Sequence, residues 1–224
     1  MQHKYTVVKF ASFNLSPRNA VYLRGYLGNL FKEKSPLLHN HLEDGSFRYK
    51  YPVVQYKIIE GNPLLVGLNE GADILNEIFL SIKVLIINGN RYHFDLKYLE
   101  NSVFKIDFSP QPLLYRFFTP WMALNQHNIN RYSQSSLEVQ KHMLDSILVG
   151  NILSMMKGLG QHIDRDIIVD VRHREAIAHF KNQLMRVFWG TFKSNIRLPD
   201  FVGVGKAVSR GFGTIKMVEN GALY

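Results

Sequence analysis

Apolar and polar positions alternate from Tyr5 to Phe13, in residues that favour extended backbone, and predict a strand. Ser16-Pro17 reads as a helix start, with serine as N-cap and proline at the first helical position. Val21, Leu23, Leu27, Leu30 and Phe31 carry helical spacing onward from there. Pro36 to Asn40 predicts a short second helix or turn, and Asp44-Gly45 a turn. Phe47 to Ile59 is rich in strand formers, with Pro52 marking an edge or a bulge. Gly61-Asn62-Pro63 turns the chain into a third strand, Leu64 to Leu68. Ala72 to Ile82 returns to helical spacing. Lys83 to Asn88 and Arg91 to Leu96 flank Gly89-Asn90 as a hairpin, and Val103 to Phe108 continues that sheet.

This order is β-α-β-β-α-β, the ferredoxin-like pattern shared by RNA-recognition domains. Ser109-Pro110-Gln111-Pro112 is the expected domain boundary, dividing residues 1–110 from 111–224. A second series begins with Leu113 to Phe118 and a polar loop from Asn125 to Ser136. A helix from Leu137 to Lys157 follows, with Val139, Met143, Ile147, Leu148 and Ile152 on one face. Gly158 and Gly160 end it. Two long strands, Asp166 to Phe180 and Gln183 to Phe192, turn near Asn182, and Phe212 to Val218 supplies a last strand. The expectation is an α+β chain of two tandem ferredoxin-like, RRM-like domains, closed by a C-terminal glycine-rich loop. No residue-level repeat links the halves.

Charge narrows the partners. Lysine and arginine number 27 against 18 acidic residues, a formal net charge of +9 that favours a polyanion. No basic amphipathic helix dominates, so nucleic acid is preferred to an anionic membrane surface. With no cysteine, disulfides and thiolate zinc sites are excluded. The N-terminus has no apolar signal region and no long apolar run exists, so a cytoplasmic protein without a membrane partner is expected.

The densest motif lies near the C-terminus: Gly203, Gly205, Gly211 and Gly213, with Lys206 and Arg210 between the pairs, leading into a strand. Such a loop suits a polyanion backbone. Its spacing fits neither the dinucleotide fingerprint nor the mononucleotide P-loop, each of which opens a helix. A plain glycine-rich hairpin at a sheet edge is the competing reading. Arg186 and Lys193 fall on a strand with Phe188, Trp189 and Phe192, an interleaving that suits stacked bases and phosphates or, alternatively, a core. His173-Arg174-Glu175 is not the H-E-x-x-H of zinc proteases.

Gly203-Val204-Gly205, the basic insert, then Gly211-Phe212-Gly213 and Thr214-Ile215-Lys216 resemble the glycine-rich loop of the RAMP superfamily, in particular its CRISPR repeat-processing endoribonucleases. Phe117-Phe118-Thr119-Pro120 resembles that family's opening of its second domain. Val21-Tyr22-Leu23-Arg24-Gly25-Tyr26-Leu27 resembles its first helix, and Leu38-His39-Asn40 its leucine-histidine segment. The resemblance implies RNA cleavage by the substrate's own 2′-OH, leaving a 2′,3′-cyclic phosphate and a 5′-OH, with His39 in acid–base catalysis. No cofactor is implied. Some members carry a tyrosine on the first helix at a position that falls here on Gly28, with Tyr22 and Tyr26 nearby as substitutes. Their lysine falls near Phe47 or Arg48, with Lys50 two residues on. His41 is the catalytic alternative to His39. His39-x-His41 with Asp44 also has the form of a metal site, though no further ligand stands beside them, and no metal is expected. The implied RNA contacts are Gly203, Gly205, Lys206, Arg210, Gly211 and Gly213, joined by Arg186 and Lys193. The implied partner is a CRISPR repeat transcript; other CRISPR effector subunits and a homodimer remain open. A RAMP protein that binds repeat or guide RNA without cutting it is the alternative, as is an unrelated protein with tandem RNA-recognition-like domains.

Overall fold

The computed structural model describes residues 1–38, 51–180 and 183–218. Two structural units part between Lys105 and Ile106. In the first, β1 (Gln2–Phe10), β2 (Val54–Ile59), β3 (Asn62–Leu68) and, further on, a last strand (Lys97–Lys105) form one antiparallel sheet. Helix α1 (Ala20–Leu30) joins β1 to β2, and α2 (Glu70–Phe79) follows β3. A small hairpin, β4 (Leu85–Ile87) and β5 (Asn90–Tyr92), precedes the sheet's last strand, β6. The order β2-β3-β1-β6 is ferredoxin-like. Strand periodicity sends Val54, Tyr56 and Ile58 into a core with Val8, Phe10, Leu23, Leu27 and Leu75. Each fully buried aliphatic side chain there contributes about 1.5–3 kcal/mol of burial energy.

The second unit repeats the order with different parts. Its sheet runs β10-β7-β9-β8, from β7 (Phe108–Phe117), β8 (Val169–Phe180), β9 (Gln183–Ile196) and β10 (Ile215–Met217). Between β7 and β8 come α3 (Ile129–Gln134) and α4 (Leu137–Gly158). Where the first unit has α2, the connection from β9 to β10 is the glycine-rich stretch. Two short segments far along the chain, Gly158–Gly160 and Val208–Gly211, belong to the first unit.

The sequence expectations hold in outline and fail at particular points. Ser109–Pro112, expected as the boundary, lies inside β7 and is accommodated by a shift of register between Phe108 and Leu113, since proline has no N–H to give a ladder. The hairpin turn is Asn88-Gly89, not Gly89-Asn90; both turn residues have positive φ, 51° and 79°, as a two-residue hairpin loop requires. The stretch read as polar loop contains α3. Helix α4 buries Leu144, Leu148, Ile152, Met155 and Met156, so its inner face is rotated from the expected one, and Val139 is exposed. The predicted turns at Asp44-Gly45 and Asn182 lie outside the described residues. Among the described residues, no helix is long and apolar enough to cross a membrane.

Candidate functional site

Ser16 starts the chain into α1 as its spacing predicts. Its Oγ accepts from the Arg18 N–H at 3.4 Å, and the Asn19 side chain accepts from the Ser16 N–H at 2.9 Å. At about 100° per residue, Leu23 and Leu27 face the core and the flanks divide. Tyr22 and Tyr26 share one flank, towards the β4–β5 hairpin. The Tyr26 hydroxyl donates to the Val84 carbonyl at 3.2 Å; burial raises its pKa and Arg91 opposes this. Tyr22, about half exposed, lines a cleft of about 430 Å³ with Gly25, Asn29 and Asn88. Arg24 lies on the other flank, one turn before the buried Gly28.

The glycine stretch is built on close backbone approach. Val204 N–H donates to the Gly213 carbonyl at 2.9 Å, and Gly213 N–H to the Pro120 carbonyl at 2.8 Å, while Gly203 bridges to Thr214. A side chain at Gly213 would put its Cβ 2.0 Å from the Val204 carbonyl oxygen, at φ +63°. Gly211 has φ +89°, and its Cβ position lies 3.0 Å from the Ala20 Cβ and 3.2 Å from the Tyr56 carbonyl oxygen. Through it the tip Val208–Gly211 packs on α1 and β2, within the first unit.

That packing sets Arg210 beside Arg24. Burial lowers the pKa of the Arg24 guanidinium, the Arg210 charge lowers it further, and Tyr56 acts in the opposite sense. Burial likewise lowers Arg210. Both guanidiniums remain charged at neutral pH, so together they raise the local potential for an anion. The Tyr56 hydroxyl donates to the Leu38 carbonyl at 3.0 Å, anchoring the residue before His39. Helix α1, the loop tip and Leu38 therefore converge on Tyr56.

His39, His41 and Lys50 themselves lie outside the described residues. Lys206 is turned to a local use: its Nζ donates to the Leu124 carbonyl at 3.0 Å, and burial lowers its pKa. Gly205 leaves room for Trp121, whose Nε1 would lie 2.7 Å from a Cβ there. Arg186 and Lys193 are an odd number apart on β9, so they occupy opposite faces. Arg186 pairs with Glu175 at 3.5 Å and lies over the Tyr132 ring, while Lys193 is exposed. Phe188 and Phe192 are fully buried, leaving Trp189 as the aromatic on the Lys193 face. Among the described residues no three His, Cys, Asp or Glu side chains form a metal-binding group. Arg24 was not singled out from the sequence. The available signal was its place one turn before Gly28, the position at which some members of the resembled family carry a tyrosine.

Residues 1–105 match the family model of the Cas6b N-terminal domain, and residues 107–218 that of the Cas6b C-terminal domain. The chain belongs to the Cas6b family. It is 34% identical to a solved Cas6b structure, covering 97% of this chain and all of that one, with a TM-score of 0.92. A structure described as the CRISPR RNA processing endoribonuclease Cas6b is 31% identical over the same shares, with a TM-score of 0.79. An uncharacterized protein of Methanocaldococcus jannaschii is 32% identical over 146 residues, which are 65% of this chain and 99% of that protein. In Cas6b terms, α1 and Arg24 belong to the N-terminal domain, and Arg210 to the C-terminal domain sequence although it packs within the first structural unit.

Proposed function

We propose that this protein is an endoribonuclease that cuts CRISPR repeat transcripts into guide RNAs by metal-independent 2′-OH attack. Membership of the Cas6b family supports the substrate and the reaction class. One observation carries the site: Arg24 and Arg210, brought together where the chain enters His39. In this reading the scissile phosphate sits against the two guanidiniums. A base removes the 2′ proton, the 2′-oxygen attacks phosphorus, and an acid protonates the departing 5′-oxygen. The products are a 2′,3′-cyclic phosphate and a 5′-OH. His39 serves as base or acid because imidazole titrates near neutrality, with His41 and Lys50 as further candidates on the same segment. The guanidiniums stabilise the charge that grows on the phosphate oxygens. Tyr22 and Tyr26 are second candidates on the opposite flank of α1. The glycine stretch holds RNA chiefly through Arg210, with Gly203, Gly205, Gly211 and Gly213 shaping the loop around Lys206; Arg186 and Lys193 extend the RNA contacts. A homodimer or other CRISPR subunits complete the proposed partners.

A binding-only member of the family is the second reading, favoured by Gly28 in the tyrosine position. The test is cleavage of the host's repeat RNA in EDTA, beside His39→Ala and Arg24→Ala proteins and an RNA with a 2′-deoxy sugar at the cut. The expected result is one cut by the wild type, and none in the His39→Ala and 2′-deoxy arms, with binding retained. Arg24→Ala is expected to slow cleavage by on the order of 10²-fold, the scale of losing one charge-stabilising donor. Tight binding without cleavage by the wild type would leave the second reading.

A further inference from the structure

The register of the second sheet places a row of cations on the face away from its core. Lys216 of β10 is opposite Arg116 of β7, Arg116 opposite Thr191 of β9, and Thr191 opposite Arg172 of β8. Directly opposed residues share a face, so these four side chains lie side by side. Their chain neighbours Tyr115, Phe117, Phe192 and Val171 point the other way and are buried. One step along, Lys193 occupies the same face, and Arg174 and Trp189 stand opposite each other on it at the far end.

Arg116, Arg172, Arg174 and Lys193 are exposed; Lys216 and Trp189 are half-buried. None of these cations forms an ion pair among the described residues, whereas Lys4, Lys9, Lys34, Lys141 and Arg186 are paired elsewhere. Asp170, on the edge strand beside Lys193, is held by Lys141 at 2.7 Å, and that bond keeps its carboxyl below the usual range. Two of the cations rest on rings: Arg116 lies over Phe118 at 5.7 Å and Lys216 over Phe201 at 5.6 Å. Such stacking fixes a charge without neutralising it. The exposed apolar residues of this hairpin, Ile177 and Leu184, lie on the opposite face, so on the basic face Trp189 stands without the apolar cluster that would bury it in a bilayer.

With strands about 4.8 Å apart, the row from Lys216 to Arg172 spans about 14 Å. We propose that this open face is a track for a single-stranded stretch of the RNA, its phosphates on the cation row and one base stacked on Trp189. The proposal rests on the RNA-processing reading above and adds a second contact region, remote in sequence from α1. A sheet that offers fixed cations and one accessible aromatic reads backbone and base faces, which only an unpaired strand presents together.

The test measures binding of a 2′-deoxy-blocked repeat RNA across a salt series, for the wild type and an Arg116→Ala/Arg172→Ala/Lys216→Ala protein. A Lys4→Ala/Lys9→Ala/Lys34→Ala protein removes the same charge elsewhere. The slope of log K against log[salt] is expected to fall by about 2 in the first variant, at about 0.7 per single-strand phosphate contact. The second variant is expected to keep the wild-type slope. Tryptophan fluorescence supplies an independent measurement on the unaltered fold. Trp121 is fully buried, so quenching by RNA that disappears in Trp189→Phe reports a base on this face. Equal slopes in the two variants, or no Trp189 quenching, would overturn the track while leaving the cleavage reading intact. A wild type that binds no repeat RNA would overturn both. Loss of binding to phosphatidylserine vesicles with RNA binding unchanged would make the face a membrane-surface site and overturn the proposal.

Discussion

The two sheets share one strand order and treat their second faces differently. On the face of the first sheet away from its core, Gln55, Lys57, Leu64, Val66 and Leu68 are all buried. On the corresponding face of the second sheet, Arg116, Arg172 and Lys193 are exposed. Burial on the covered face changes the chemistry of its lysine. Lys57 is fully buried, its Nζ bonded to the Gln55 Oε1 at 3.0 Å, and burial lowers its pKa to about 7. Topology therefore fixes where a side chain is presented, and cover decides whether it can serve a polyanion.

The largest effect is expected at Lys57. Its folded pKa lies below the usual 10.5, so between about pH 7 and 10.5 the unfolded chain holds the extra proton. Stability should rise with pH through that window, by up to about 1.4 kcal/mol per unit, and the gain should be gone once pH has fallen to about 7. Lys57→Met should flatten that rise and raise stability at pH 7, as read by denaturant unfolding at a series of pH values. A wild type and variant with parallel pH curves would show that Lys57 is charged in the fold. Gly213→Ala tests the element that replaces a crossover helix in the second unit. Its Cβ would meet the Val204 carbonyl oxygen at 2.0 Å, and a loss of about 3 kcal/mol is expected by urea unfolding. Tyr132→Phe removes the 2.7 Å bond to Glu175 on the core side of the second sheet and should cost about 1–2 kcal/mol. On the open face, Arg172→Ala and Lys193→Ala should each change stability by less than about 0.5 kcal/mol, in thermal melts that leave the fold intact.

Local rules carried the reading of the sequence far in some places. Alternation marked the strands, and Ser16-Pro17 marked the entry to α1, where the capping contacts are found. Helix α3 was hidden because its residues are polar. Its one buried side chain, Tyr132, is placed by Glu175, a partner far along the chain. The mismatch at α4 has a similar origin: several apolar stripes were available, and packing selected the one through Leu144 and Leu148. At the candidate site, the glycine stretch was legible as a motif, but the pairing of Arg210 with Arg24 joins opposite ends of the chain. The basic row likewise has no signature along the sequence, since only strand register lines up Lys216, Arg116 and Arg172.

The four residues Val208–Gly211 lie near the end of the chain and belong to the unit built from its beginning. During synthesis, the first hundred residues leave the ribosome long before those four exist. The N-terminal unit must then wait, with its α1 and β2 surface uncovered, until those four residues are made. A fragment ending at Lys105 would remain in that waiting state permanently, so the natural product of a premature stop is an unfinished first unit.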